Sequence, residues 1–183
     1  MPNYKSSFAL AMSLMASSPV IAEVRGLYGS DCMQAQGLSA KKDLFFQDRS
    51  MENVQTVYAD ETCAMPVYDF SFVGNFSLGE NGRSLDYLYS SITLRALDAR
   101  VAEAFNQVAL CGYSDWIVNS SREVAGKDCG GQKIPEPGTA VYDLVHESED
   151  QASIQLGRTS ENLDGLSVEA RPDELDTLIY SAK

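Results

Sequence analysis

Alternating hydrophobic and polar positions run from residue 68 to residue 78. Tyr68, Phe70, Phe72, Gly74, Phe76 and Leu78 share one parity; Asp69, Ser71, Val73, Asn75 and Ser77 share the other. Side chains of a strand alternate between its two faces, so this run predicts a long antiparallel strand with one dry and one wet face. Gly79-Glu80-Asn81-Gly82 follows. Asn-Gly is a strong hairpin signal, because a type I′ turn needs positive φ at both central residues. The return strand is predicted over residues 85–94, where the apolar parity slips from Leu85, Tyr87 and Tyr89 to Ile92 and Leu94. A bulge or bend near Ser90-Ser91 accounts for the slip.

Shorter strands are predicted at residues 26–32, 44–47, 54–59, 116–119, 140–145 and 153–157, separated by polar or Gly/Pro stretches at 34–40, 47–53, 126–138 and 159–165. One segment has a helical period. Across residues 98–110, Val101, Ala104, Phe105 and Val108 form an apolar stripe, Asp98 stands at the capping position and Gly112 just past the end. Such a helix lies across a sheet or plugs the end of a barrel. The expected fold is mainly β with one α-helix: an antiparallel β-barrel or strongly curved sheet. A barrel of about eight strands is either packed with side chains or holds one small ligand. No repeat or linker interrupts the pattern, so residues 23–183 are expected to form a single domain.

The N-terminus has a different character. Lys5 precedes a short apolar run at residues 8–15, and Val20 and Ala22 supply the small residues of a cleavage site. The run is too short to span a bilayer and is broken by Ser17, Ser18 and Pro19. Residues 1–22 therefore read as a secretion signal peptide, and the rest as an exported chain of the periplasm or extracellular space, not membrane-spanning. In an oxidising compartment Cys32, Cys63, Cys111 and Cys129 suggest two disulfides. Of the three connectivities, the sequential one, Cys32–Cys63 with Cys111–Cys129, is favoured because it closes two local loops.

Among its 183 residues the chain carries 14 basic and 26 acidic side chains, a formal charge of −12. That balance argues against nucleic acid as a partner and against docking on anionic lipid surfaces. Cysteine spacing and the lone His146 imply no metal site, and no nucleophile, phosphate-loop or dinucleotide motif is present. His146, followed by Glu147, Glu149 and Asp150, reads as a surface histidine. Asp60-Glu61 and the acids at 173–176 read as turn and surface carboxylates rather than a calcium site. Asn75-Phe76-Ser77 and Asn119-Ser120-Ser121 match the glycosylation sequon, relevant only where exported chains are glycosylated. Neither an enzyme nor a cofactor is expected.

Several pieces stand in a recognisable order. Gly26-Leu27-Tyr28-Gly29-Ser30-Asp31-Cys32 comes first, then Tyr58-Ala59-Asp60-Glu61-Thr62-Cys63-Ala64-Met65-Pro66, leading straight into the long strand. Leu85-Asp86-Tyr87, the helix, Cys111-Gly112, Trp116 and Gly126-Lys127-Asp128-Cys129 follow, with Tyr142-Asp143-Leu144 and Arg171-Pro172 near the end. This order resembles the domain of the adenomatosis polyposis coli down-regulated 1 family, secreted and cell-surface Wnt antagonists of animals. The resemblance implies an antiparallel, lipocalin-like β-barrel whose hydrophobic interior binds lipid, in the animal case the acyl group on Wnt. Animal members carry two copies of the domain. One copy here, behind a signal, looks like a bacterial single-domain homologue, so the barrel and its apolar pocket transfer and the signalling role does not.

The resulting expectation is an exported lipid-binding protein that holds a fatty-acyl or similar ligand in the barrel interior. Tyr68, Phe70, Phe72, Phe76 and Leu78 of the long strand would line the pocket, with Tyr87 and Tyr89 opposite. Phe105, Trp116, Ile154 and Leu156 would complete it, and Arg95, Arg100 or Trp116 would meet a head group. The alternative is a periplasmic or secreted inhibitor, or interaction protein, acting through a projecting loop at 127–137; catalysis by paired carboxylates ranks third. A homodimer would mimic the two-domain relatives.

Overall fold

The structure, a computed structural model, describes residues 24–35, 38–79 and 82–183. The signal segment 1–22 and the turn residues Glu80 and Asn81 lie outside the described residues. The strands are β1 (Gly26–Ser30), β2 (Met33–Ala35), β3 (Leu38–Gln47), β4 (Ser50–Tyr58), β5 (Pro66–Leu78) and β6 (Ser84–Ala96). After β6 come the helix α1 (Ala99–Gln107), a 3-10 turn (Leu110–Gly112), β7 (Ser121–Glu123), β8 (Asp128–Cys129) and β9 (Gln132–Lys133). β10 (Ala140–Glu147), β11 (Ser153–Leu156) and β12 (Tyr180–Ala182) finish the chain.

The strands build one large antiparallel sheet that nearly closes in a ring. Pairing runs β1-β12-β11-β10-β6-β5-β4-β3, and β1 also pairs with β3 through Tyr28↔Leu44 and its neighbours. β2 extends from β3. β7 pairs with the second half of β6, beside the β10 pairing along its first half. β8 and β9 form a separate two-stranded hairpin.

The alternation of the long strand survives intact, and the parity slip has the anticipated cause. Phe72 pairs with Ile92 and Phe76 with Tyr87, while the register shifts between Val73 and Gly74 so that Ser90 is passed over. The extra residue keeps Leu85, Tyr87 and Tyr89 on the same face as Ile92 and Leu94. Gly74 is needed opposite it, because a Cβ there would stand 2.3 Å from the carbonyl oxygen of Leu88.

Two clusters occupy this inward face. The first joins Tyr28, Leu44, Phe46, Met51, Phe76, Leu85, Val145, Ile154 and Tyr180. The second joins Ile92, Leu94, Ala96, Ala102, Trp116, Val124 and Ile134 under the segment that follows β6. Each fully buried Leu or Ile contributes about 1.5–3 kcal/mol relative to exposure, so these clusters are the main reason the sheet curls.

α1 begins where Asp98 accepts a hydrogen bond from the Arg100 N–H, as the capping pattern predicts. Its buried stripe, however, is Val101, Ala102 and Phe105; Ala104 and Val108 are exposed. Asn106 explains the rotation. Its amide brackets the Trp116 backbone, donating to the carbonyl at 3.1 Å and accepting from the N–H at 2.5 Å, which turns that face of the helix inward. The same bracket removes residues 116–119 from the strands: Trp116 has no backbone groups left for a ladder, and Asn119 (φ 63) closes a turn. Residues 47–53 are likewise not a loop, since β3 and β4 meet at Gln47↔Ser50.

The disulfides are Cys32–Cys63 and Cys111–Cys129, the sequential pairing. No described helix is long and apolar enough to cross a membrane. Both features are compatible with an exported protein.

Candidate functional site

The predicted pocket residues fall into two groups with different roles. Phe76 and Ile154 are buried in the first cluster, with Leu78, Tyr87 and Leu156 packed against it. Trp116 is buried in the second, with Tyr68, Phe70, Phe72, Tyr89 and Phe105 packed against it and still partly exposed.

That second group forms a continuous file of rings. Trp116 meets Phe105 edge-on at 5.3 Å, and Phe105 meets Tyr68 at 5.9 Å. Phe70 lies 6.0 Å from Phe72 in a stacked arrangement, after an edge contact with Tyr68 at 6.1 Å. Phe72 then reaches Tyr89 at 5.6 Å, and Tyr89 reaches Tyr87 at 5.4 Å. Strand alternation produces this file: Tyr68, Phe70 and Phe72 are successive same-face positions of β5, and the bulge in β6 brings Tyr89 and Tyr87 into line with them. Ring pairs at these separations add about 0.5–1.5 kcal/mol beyond their buried area, so the wall is preorganised. These rings face into the curled sheet, pack on one another and on the second cluster, and remain partly accessible.

The inward face is not uniformly apolar. In β3 it carries Ala40, Lys42, Leu44 and Phe46, and in β4 Met51, Asn53, Gln55 and Val57, as the pairing of these strands with each other and with β5 requires. Asp143 of β10 is buried and lies on the same face, paired with Leu85. Its Oδ1 accepts from the N–H groups of Leu144 at 2.7 Å and Gly157 at 2.9 Å. Burial pushes its carboxyl up to about 6, against the pull of those amides and of Arg171 and Lys42. Burial likewise raises the Tyr87 hydroxyl, helped by the neighbouring Tyr89 and Asp143. Lys42, Asn53, Gln55 and Asp143 are the residues that sequence reasoning missed. Their signal was a polar residue on the inward parity within a strand, single in β3 and β10 and doubled in β4, which breaks the expected apolar parity.

The head-group expectation for the arginines is corrected. Arg95 pairs with Asp69 at 2.5 Å on the opposite face of the sheet from Phe70, and Arg100 is turned back on its own cap, Asp98. His146 is exposed, as expected of a surface histidine, and lies within β10 opposite Gln155. Asp60 organises a turn, accepting from the Thr62 hydroxyl and the amides of Ala64 and Met65, and the Thr62 bond leads in holding its carboxyl down at about 2. Within the 127–137 segment, Gly131, Gln132, Lys133, Glu136 and Pro137 are exposed, and two anchors tie the segment down. Ile134 is buried against the second cluster, and Cys129 is bonded back to Cys111.

A groove of about 280 Å³ lies between β5, β6 and β10. Asn75, Ser77, Asp86, Leu88, Ala140 and Tyr142 among its walls belong to the outer parity, and it touches the aromatic file only at its last ring, Tyr87.

The chain matches no family model and no curated protein.

Proposed function

We propose that the protein is an exported carrier that binds a fatty-acyl or similarly apolar ligand inside a β-barrel formed by the ring of strands. The observation that supports this reading most is the file from Trp116 to Tyr87: such ring packing would serve a core equally well, but Phe70, Phe72, Tyr87 and Tyr89 remain partly accessible on the inward side. The order of motifs shared with the adenomatosis polyposis coli down-regulated 1 domain points the same way. Binding is by burial. Each methylene removed from water contributes ~0.8 kcal/mol, so eight of them supply ~6 kcal/mol before the entropic costs of association. Aromatic walls with a few polar groups suit such a ligand. The two disulfides suit work outside the cytoplasm.

Native mass spectrometry of protein exported to an oxidising compartment, with solvent extraction and lipid analysis, tests the proposal. Co-purifying fatty acid or phospholipid is the expected result. Protein that is ligand-free and also fails to take up a fluorescent fatty acid would overturn it.

A further inference from the structure

Lys42 is a cation placed where an apolar pocket has no structural need of one. It sits between Ala40 and Leu44 on the inward parity of β3; it pairs with Gln55, which pairs in turn with Phe70 of the aromatic file. Leu44, two residues on, is 0% exposed, and Lys42 itself is half-buried. The other described lysines have partners. Lys41 lies over Tyr58, Lys127 over Tyr113, and Lys133 and Lys183 meet Glu136 and Asp43. Among the described residues, the Lys42 ammonium alone meets neither a carboxylate nor a ring.

A second observation lies on the next rung. Asn53 pairs with Leu44 on one side and Phe72 on the other, and its Oδ1 is buried with no hydrogen-bond partner. An unsatisfied buried polar atom costs about 1–3 kcal/mol, so the Asn53 amide calls for a hydrogen-bond partner. A half-turn of the amide would put Nδ2 in that position, and a carboxylate oxygen would accept from it. Lys42, Gln55 and Asn53 thus place a cation and two amides one or two strands, about 5–10 Å, from Phe70 and Phe72. Asp143 is an inward carboxylate that feels the Lys42 charge, but its Oδ1 already accepts from the N–H groups of Leu144 and Gly157, while Arg171 bonds the Asp143 backbone carbonyl and pairs with Asp86.

We infer that the ligand is a free long-chain carboxylate, bound with its head group inward on Lys42, Gln55 and Asn53 and its chain along Phe70 and Phe72. This rests on the lipid-binding reading above and narrows it, since a neutral acyl ester offers a hydrogen-bond acceptor but leaves the ammonium charge uncompensated, whereas a carboxylate supplies both. A charge-assisted bond in a partly dry site also gives an acidic protein the means to hold an anion.

The test compares oleate with methyl oleate, each displacing a neutral fluorescent lipid, on wild-type protein and on Lys42→Met. Wild type should prefer oleate by ~10-fold or more, the worth of one charge-assisted bond; Lys42→Met should lose that preference while its affinity for methyl oleate stays within ~2-fold. Lys42→Arg should retain the preference. Equal affinity of wild type for the two ligands, or equal loss of both on Lys42→Met, overturns the inference and leaves lipid binding standing. Wild type that binds neither overturns both. The wild-type comparison decides the matter alone should Lys42→Met not fold.

Discussion

The N–H of Gly157 donates to Oδ1 of Asp143 at 2.9 Å, fixing the end of β11 to an inward carboxyl of β10. The approach leaves no room for a side chain. A Cβ at residue 157 would stand 2.4 Å from that oxygen and 2.6 Å from Cβ of Pro172. Gly157→Ala is therefore expected to cost about 1–3 kcal/mol by overpacking. Urea unfolding measures it. An unchanged midpoint would mean that Asp143 and Pro172 move aside freely and that the pin is not a constraint.

The same carboxyl makes stability depend on pH. Burial raises Asp143 to about 6, whereas an unfolded aspartate titrates near 3.9. Between those values the folded state holds the extra proton, so its stability falls as pH rises through the window. Asp143→Asn keeps an oxygen for Leu144 and Gly157 and removes the charge. It should flatten this fall and exceed wild type at pH 7.5 by about 1–3 kcal/mol, with little difference at pH 4. Asp60 acts with the opposite sign and lower down: the Thr62 bond and the turn amides hold it at about 2, so its contribution is lost only as pH drops below the usual aspartate range. Parallel urea midpoints for wild type and variant from pH 4 to 7.5 would refute the assignment to Asp143.

The segment between β6 and β10 reports on itself through Trp116, the single tryptophan of the chain. Trp116 is 3% exposed and packs against Phe105 and Tyr113. Cys111, in the same cluster, is bonded to Cys129 across 18 residues. Replacing both cysteines by serine releases that loop in the unfolded chain and should cost ~3 kcal/mol. Tryptophan emission should shift to the red at correspondingly lower urea. An emission transition at the wild-type midpoint would show that packing alone holds the segment down.

Legibility in the sequence tracked how apolar each inward position is. β5, with a phenylalanine or tyrosine at nearly every second residue, was readable along most of its length, and even the bulge at Ser90 followed from parity. β3 and β4 were seen only at one end each, because Lys42 and Asn53 occupy inward positions that pattern matching requires to be apolar. Helix α1 was located through its Asp98 cap, but its face was misjudged, since Asn106 is turned inward by the Trp116 backbone and no periodicity encodes that. The apolar half of the candidate site was thus visible beforehand and its polar half was not. A polar residue within a buried strand looks, in sequence, like the strand's end.

Phe72 and Phe76 stand on one face of one strand, and the reading of the site predicts that they behave differently. Phe76 is 7% exposed and meets Phe46 edge-on at 5.2 Å in the first cluster. Phe76→Ala should cost about 3–5 kcal/mol, the usual range for emptying a filled aromatic position. Phe72 touches Phe70 and Tyr89 but remains partly accessible, so less of its surface is removed from water on folding. Phe72→Ala should cost roughly half as much, because the transfer and cavity terms both scale with what is buried. Its larger effect should fall on fatty-acid uptake, with a loss of ~10-fold or more if the ring contacts the ligand chain. Urea unfolding and fluorescent fatty-acid titration on the two variants separate these effects. Equal destabilisation, with uptake lost only in proportion to unfolded protein, would make Phe72 a core residue and remove the aromatic file from the binding site.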